Sequence, residues 1–406
     1  MTNSTNREAV LPNGLKVIGE INASHKSCAL GFFVKTGARD ESEKESGLSH
    51  FLEHMMFKGT ARRTALDVNL QLGNIGAQAN AFTSEENTVF YSSILPEYFP
   101  DLLELLSDMM RPALNQEDFD MEKKVILEEI ALYRDRPSFY LYENASREFF
   151  NKHALANSVL GSIESITAVT AGQMREYFDR RYSPANMVLV ATGNFDWDNF
   201  LLRAEEYTST WQKKDAARDT ARFTRQGAGK VFKRKNLNQA HMLFFSPSCG
   251  AGEQERYPLA ILSVILGDGS GSKFFWELVD KGLAESASAE QDDKDGSGVF
   301  SAYASTKPEN VDKVSAIIKH IFNNALDFSQ QDIERAKAKV ISRLILRGEL
   351  PMGRLMALGM EWIYRQRLHN LKSEVEKIES ISADDIEKAL TKFPFKFSEY
   401  ILLPEN

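Results

Sequence analysis

The chain has 406 residues, which is enough for two or three domains with sizeable cores. Its composition, 43% hydrophobic and 26% charged, is that of an ordinary globular protein. A net charge of −8 argues against nucleic-acid binding and against a basic membrane-surface patch, and no apolar run approaches the roughly 20 residues of a membrane span.

The start of the chain and its cysteines bear on the compartment. Residues 1–7 contain no apolar segment of the kind found in secretory signals. Cys28 and Cys249 have no metal-type spacing, so we expect buried free thiols in a reducing environment. These features favour a cytoplasmic location.

The first elements in chain order are strands, a charged loop and a helix. Strands are predicted within residues 10–20, around an Asn13-Gly14 turn, and at residues 28–36. A charged loop follows at residues 38–45. Residues 47–57 read Gly-Leu-Ser-His-Phe-Leu-Glu-His-Met-Met-Phe, and their apolar positions predict a helix with one buried face.

This helix carries two histidines four positions apart, His50 and His54, with Glu53 between them. Residues i and i+4 lie one turn apart on the same face, so both imidazoles can bind one metal ion. Glu53 lies on that face as well and is free to act as a base. The pattern is the zincin motif in reverse. The alternative is a buried structural helix, and with seven histidines in 406 residues a chance match to this pattern has odds on the order of one in a hundred.

Further helices and strands follow before the next informative segment. They are predicted at residues 65–72 (helix), 77–83 and 88–95 (strands), 97–110 and 116–134 (helices). A catalytic zinc ion usually has three protein ligands and an open position. Helix 116–134 is the best source of the third ligand, because Glu122 and Glu129 lie two turns apart on one face, whereas Glu128 points elsewhere.

The combination of His50-x-x-Glu53-His54 with a distant Glu129 resembles the pitrilysin family of metallopeptidases, which includes insulin-degrading enzyme and the mitochondrial processing peptidases. The likeness extends over nearly the whole chain. It implies that His50, His54 and Glu129 bind one zinc ion. It also implies that Glu53 is the catalytic base and that Glu122, seven residues before the third ligand, supports the site.

The resemblance also assigns a role to the strand that follows. Its residues Asn80, Ala81, Phe82 and Thr83 resemble the family's active-site edge strand, to which an extended peptide is added by backbone pairing. An ordinary edge strand, protected by small and polar residues, is the alternative. We favour substrate binding.

The second half of the chain repeats the first. Further elements are predicted at residues 139–150, 171–182 and 197–208 (helices) and 187–193 (strand). Residues 28–37 then resemble 241–250, residues 88–97 resemble 298–309, and residues 115–119 resemble 330–333. Such a repeat indicates internal duplication of a domain of about 200 residues.

We therefore predict an α+β protein of two homologous α/β sandwich domains, each with a mixed, largely antiparallel sheet and helices packed on one face. The predicted boundaries are 1–211 for the zinc-binding domain, 212–230 for a polar linker, and 231–406 for a homologous domain without metal. In that copy, His50, Glu53 and His54 are replaced by Ser263, Leu266 and Gly267. Glu122 falls near residues 336–337, and Glu129 near residues 343–344.

One segment departs from the family pattern. The family often carries an Arg and a Tyr, seven apart, that reach the substrate carbonyl. Here residues 278–285 are one residue short, with Val279 at the Arg position and Glu285 at the Tyr position. In some bacterial members these two halves of the site lie on different subunits.

These observations predict a zinc endopeptidase subunit, with one zinc ion per chain, that uses a metal-activated water, and the family resemblance implies that its substrates are unfolded peptides. We expect a dimer, preferably a heterodimer with a homologous subunit that supplies Arg and Tyr, and neither nucleic-acid nor membrane partners. The alternative is a non-catalytic partner or scaffold subunit. Retention of all five predicted metal-site residues argues against it.

Overall fold

The computed structural model describes residues 4–224 and 229–405. Residues 1–3 of the predicted start and residues 225–228 of the predicted linker lie outside the described residues. Two sheets form the framework. The strands of the first are β1 (Thr5–Val10), β2 (Lys16–Ile21), β3 (Cys28–Val34), β4 (Gln78–Thr83), β5 (Thr88–Ile94) and β6 (Met187–Gly193); those of the second are β7 (Lys230–Arg234), β8 (Ala240–Ser248), β9 (Ser286–Asp293), β10 (Gly298–Thr306) and β11 (Ser398–Pro404).

The two sheets have the same plan, except that the first has one additional edge strand, β1. The first has the order β1-β2-β6-β3-β5-β4 and the second the order β7-β11-β8-β10-β9. Within each sheet one pair is parallel, β2 with β6 and β7 with β11, and the other pairs are antiparallel. The predicted mixed, largely antiparallel sheets are confirmed.

The helices follow the repeat as well. They are α1 (Leu48–Met55), α2 (Ala65–Asn74), α3 (Phe99–Met109), α4 (Gln116–Arg134), α5 (Pro137–Phe150), α6 (Ile163–Ala168), α7 (Ala171–Arg181), α8 (Trp197–Thr208), α9 (Arg256–Gly267), α10 (Val311–Asn323), α11 (Gln330–Gly348), α12 (Pro351–Arg365), α13 (Leu371–Glu379) and α14 (Ala383–Lys392). The bounds of α4, β6 and α8 coincide with the predicted segments. α4 and α5 in the first half correspond in order to α11 and α12 in the second.

The chain divides into two compact units that are not its two halves. The first unit comprises the residues up to Ala131 together with Asn157–Asp219 and Leu346–His369, and the rest of the chain forms the second. The chain passes from the first unit to the second after Asp219, a position inside the predicted linker 212–230. The units differ from the predicted domains 1–211 and 231–406 because α5 belongs to the second unit and α12 to the first.

We call α5 and α12 the exchanged helices, because each belongs to the unit formed mainly by the other half of the chain. Each covers a sheet face that the other helices of its unit leave open. In the first unit, Leu355 and Leu358 of α12 pack on Ala29 and Phe33 of β3. On the opposite face, Trp197 of α8 lies where a side chain on Gly19 would project. In the second unit, α5 packs on β8 and β11. Helices therefore lie on both faces of the first sheet. The helix on the second face, α12, comes from the other half of the chain. The sequence did not predict this exchange, because a helical pattern does not specify which sheet its apolar face contacts.

The central strands of the first sheet are built for burial on both faces. β3 reads Cys-Ala-Leu-Gly-Phe-Phe-Val, and every one of its residues is buried. Such a continuous apolar run is typical of a strand covered on both sides. Gly359 of α12 lies against the Phe33 ring, so closely that a Cβ on Gly359 would fall 2.3 Å from a ring atom. The absence of a side chain there lets α12 approach the sheet.

A buried ion pair fastens α12 to β2. Arg354 Nε donates to Glu20 Oε1 over 2.8 Å, and its Nη2 contacts the other carboxylate oxygen. Arg354 is 6% exposed and Glu20 is 5% exposed. Both charges are thus desolvated, and each depends on the other for compensation.

We predict that Arg354→Leu lowers the free energy of unfolding of the first unit by about 3 kcal/mol or more, because it leaves the Glu20 carboxylate buried without its cation. The double variant Glu20→Leu with Arg354→Leu should recover part of that loss. Denaturant unfolding measures both. Lys372→Ala is the control, because Lys372 and its partner Glu376 are both exposed on α13. Equal stability of Arg354→Leu and the unaltered chain would contradict the prediction.

Candidate metal centre

The predicted motif helix is α1, which has eight residues. It begins after Gly47, whose φ of 91° only glycine adopts readily. Its buried apolar face includes Leu48, Leu52 and Phe51. Phe51 stacks on Phe119 of α4 with the ring centroids 4.7 Å apart. This contact brings the motif helix against the helix predicted to supply the third ligand.

Three side chains converge at the junction of α1 and α4. Glu129 Oε2 lies 3.8 Å from His50 Nε2 and 3.5 Å from His54 Nε2. A tetrahedral zinc ion with bonds of about 2.0–2.1 Å requires donor atoms roughly 3.4 Å apart. The two imidazoles and one carboxylate therefore fit a zinc ion in both chemistry and spacing. Among the described residues, no other group of His, Cys, Asp or Glu converges in this way.

The orientation of His54 is fixed by the supporting glutamate. His54 Nδ1 lies 2.8 Å from Glu122 Oε1. The Glu122 carboxylate can only accept, so Nδ1 carries the proton and Nε2 keeps its lone pair for a metal ion. Lys58 Nζ lies 2.5 Å from the other oxygen of Glu122. The sequence reasoning did not identify Lys58, whose position four residues after His54 was the available signal.

The charges of His50 and of the supporting Glu122 suit metal binding. Burial, and secondarily the neighbouring His54, lowers the pKa of His50 to about 3, so this imidazole is neutral as a ligand must be. Burial raises the pKa of Glu122, but the hydrogen bonds from His54 and Lys58 prevail and lower it overall. Glu122 therefore remains anionic and able to hold His54.

Glu53 projects from α1 towards β4 and has a different partner from the three donors. Thr83 Oγ1 donates to Glu53 Oε2 over 2.6 Å. Burial raises the pKa of Glu53, the Thr83 hydrogen bond lowers it, and the net shift is upward. A carboxyl group with a raised pKa is suited to accepting and returning a proton near neutral pH.

β4 is the edge strand of its sheet, as its predicted role requires. In the turn between β4 and β5, Ser84 N donates a hydrogen bond to Asn87 O over 2.8 Å. Because hydrogen-bonded and non-hydrogen-bonded pairs alternate along antiparallel strands, this bond determines which residues of β4 pair with β5 and which face outwards. Ala79, Ala81 and Thr83 accordingly direct their backbone groups to the open edge. The Asn80 side chain accepts from Ala81 N over 2.8 Å and covers one of these donors.

The four predicted strand residues lie on two faces. Thr83 faces α1 and contacts Glu53. The Phe82 side chain lies on the other face, where it packs near Tyr91 and the cluster beneath α12. The structure therefore brings Thr83 to the site and directs the Phe82 ring away from it.

The second half has the same elements without the donors. Ser263, Leu266 and Gly267 lie on α9, the counterpart of α1, and α11 carries residues 336–337 and 343–344. Glu285, at the Tyr position, is exposed and accepts a hydrogen bond from Gln239. Val279, at the Arg position, ends a π-helical turn.

Comparison with protein families agrees with this division. Residues 16–163 match the insulinase (peptidase family M16) model, and residues 168–340 match the model of the peptidase M16 inactive domain. The chain belongs to peptidase family M16. The resemblance to the pitrilysin family is thereby confirmed, and the second match carries the name expected of a half without a metal site.

Relatives of the M16 chain include zinc proteases of similar length. It is 30% identical over 399 residues to an uncharacterized zinc protease of Streptomyces coelicolor, covering 94% of this chain and 86% of that protein. It is 27% identical over 380 residues to the uncharacterized zinc protease YmxG of Bacillus subtilis, covering 92% of each. The chain is thus a zinc metallopeptidase by family.

Solved structures share the fold. A protease from Helicobacter pylori superimposes with a TM-score of 0.90 at 20% identity, over 99% of this chain and 100% of that chain. The peptidase M16 inactive domain from Pseudomonas fluorescens gives 0.90 at 15%, over 99% and 98%. In the described part of the chain, no helix is both long and apolar enough to cross a membrane.

We predict that Glu129→Gln lowers zinc affinity far more than Glu128→Gln, because Glu129 faces the histidines and Glu128 is exposed on another side of α4. Glu122→Gln should be intermediate, since changes in residues that hold a ligand typically cost about 10- to 100-fold in affinity. Competition with a chelator measures all three. A larger effect at Glu128 would contradict the geometry of α4.

Proposed function

We propose that the M16 chain is the zinc-bearing subunit of an endopeptidase that hydrolyses unfolded peptides. The observation that carries the proposal is the convergence of His50, His54 and Glu129, with Glu53 beside them and the open edge of β4 adjoining. When bound there, zinc would polarise the scissile carbonyl and bring the pKa of water to about 7.

Glu53 is the proton carrier in this proposal. One of its oxygens is held by Thr83, so the other is available to accept a proton from the attacking water. The same carboxyl group then returns the proton to the nitrogen of the leaving amine. Its raised pKa favours acceptance of the proton from water, and the amine nitrogen, which is a stronger base than a carboxylate, takes the proton as it leaves.

The open edge of β4 would hold the substrate. An extended peptide can pair with the backbone groups of Ala79, Ala81 and Thr83, while Asn80 turns its side chain away from Ala81 N. Backbone pairing needs an unfolded segment and is largely independent of side-chain identity. Broad cleavage of unfolded peptides follows from this mode of binding.

The Arg and Tyr that reach the substrate carbonyl in the family are missing from the matching positions of this chain, which hold Val279 and Glu285. We propose that a homologous subunit supplies both residues in a heterodimer. A homodimer would lack the pair on both sides. The same departure favours a second candidate function, a non-catalytic partner subunit, which would carry no zinc.

We predict that Glu53→Gln keeps zinc and loses nearly all hydrolysis, because Glu53 is the base and not a ligand. Zinc stoichiometry and cleavage of an unstructured peptide, measured with the complete assembly, test this. Glu128→Gln is the matched control and should retain both properties. Loss of zinc in Glu53→Gln, or substantial residual cleavage, would contradict the assigned role.

We predict that the purified chain alone cleaves peptides weakly and that a homologous subunit with the Arg-Tyr pair restores cleavage. Loss of one preorganised donor to the developing charge costs roughly 10²–10³ in rate. Cleavage assays on denatured protein and on short peptides, with the mass in solution determined in parallel, measure this. Full activity from a pure homodimer would contradict the heterodimer proposal.

A further inference from the structure

The metal-site helix α1 has an N-terminus that its own residues do not cap. It has eight residues, too few for a helix to be stable in isolation. Its N-cap residue is Gly47, which offers no side-chain acceptor. The free N–H groups of the first turn therefore need an acceptor from elsewhere, or they remain buried without one.

Glu41 supplies that acceptor from six residues upstream. Its Oε2 accepts from Gly47 N over 2.7 Å, and its Oε1 accepts from Ser49 N over 2.6 Å. The Glu41 side chain is buried, with 6% of the residue exposed. Each carboxylate oxygen thus caps one backbone donor at the start of α1.

We propose that Glu41 is a positioning residue for the metal centre, which caps α1 and thereby holds His50 in place to bind the metal. The inference rests on the proposed zinc function. His50 is the third residue of α1, inside the turn that Glu41 caps, whereas His54 lies in the last turn and is held by Glu122. Fraying of the first turn would therefore displace one ligand and leave the other.

The loop that carries Glu41 is itself fixed. Asn157 Nδ2 donates to Ala38 O over 2.8 Å and to Glu41 O over 3.1 Å. Gly47 and Gly161 approach so closely that a Cβ on Gly47 would fall 3.0 Å from the Gly161 Cα. The loop that carries the cap is thus held by contacts with residues outside α1.

The Ser49 side chain provides a second tie at the same turn. Its Oγ lies 2.6 Å from the hydroxyl of Tyr177, which lies 2.9 Å from Thr36 Oγ1. This tie involves only the side chain of Ser49 and leaves both backbone donors to Glu41. The carboxylate is therefore the acceptor on which the first turn depends.

Burial of the Glu41 carboxyl group disfavours its charged form. Burial raises the pKa of Glu41 more than the hydrogen bonds from Ser49 and Gly47 lower it, and the net pKa is about 8. A glutamine of the same volume has only one acceptor oxygen, and its amide would face the other N–H. Glu41→Gln therefore removes half of the cap with little change in packing.

The test compares Glu41→Gln with Glu43→Gln, an exposed glutamate of the same loop, in the full chain. Zinc affinity is measured by chelator competition, and amide hydrogen exchange is followed at residues 47–49 in the zinc-free chain. We expect Glu41→Gln to weaken zinc binding roughly tenfold or more, as for other residues that orient ligands. We also expect faster exchange at Gly47 and Ser49, with Glu43→Gln unchanged in both.

Unchanged zinc affinity in a folded Glu41→Gln chain would overturn the proposal. This holds even if the melting temperature fell, because Glu41 would then stabilise the fold without positioning the metal ligand. If the variant does not fold, exchange in the unaltered chain decides: protection of Gly47 and Ser49 supports the cap, and exchange at the rate of an open loop overturns it. Absence of zinc binding by the unaltered chain would instead count against the proposed function, while the exchange data would still test the cap.

Discussion

The metal centre depends on how an eight-residue helix is held in place, because α1 is too short to be stable without outside contacts. Phe51 stacks on Phe119 and sets α1 against α4, which brings Glu129 within 4 Å of both imidazoles. Glu41 holds the first turn, and Glu122 holds the last turn through His54. The two histidines are thus positioned by contacts outside their own helix, at opposite ends.

The exchanged helix α12 links this site to the other face of the first sheet. Tyr364 of α12 donates to Glu86 Oε2 over 2.8 Å, in the turn between β4 and β5. Arg39, two residues before Glu41, donates to the other oxygen of Glu86 over 2.7 Å. One buried carboxylate therefore joins the loop that caps α1, the turn of the proposed substrate strand and α12. Anchoring of α12 and order at the site are accordingly connected through a continuous set of buried contacts.

Much of this architecture could be predicted from the sequence, because it is encoded locally. Helical spacing placed His50 and His54 on one face of their helix and Glu122 and Glu129 on one face of theirs, the family resemblance paired the two helices, and the structure brings the three donors together. The sheet against which α12 packs was not predictable in this way, because the sequence pattern of α12 identifies its apolar face but not the sheet which that face contacts. Lys58 and Glu41 were missed for a related reason: a lysine just after a helix, or a glutamate in a charged loop, looks like solvated surface until its partner in space is known. The orientation of the Phe82 ring follows from strand register, which a single strand pattern leaves open.

The difference between the two halves is fixed by packing as well as by sequence. Gly267 stands where the ungapped repeat aligns His54, and a Cβ there would fall 2.2 Å from Ala289 N of β9. In the first half the His54 side chain has room, being 24% exposed. β9 thus packs directly against α9 at Gly267 and occupies the space that an imidazole would require. Restoring a ligand in the second half would need movement of a whole strand, so a single substitution cannot recreate the metal centre there.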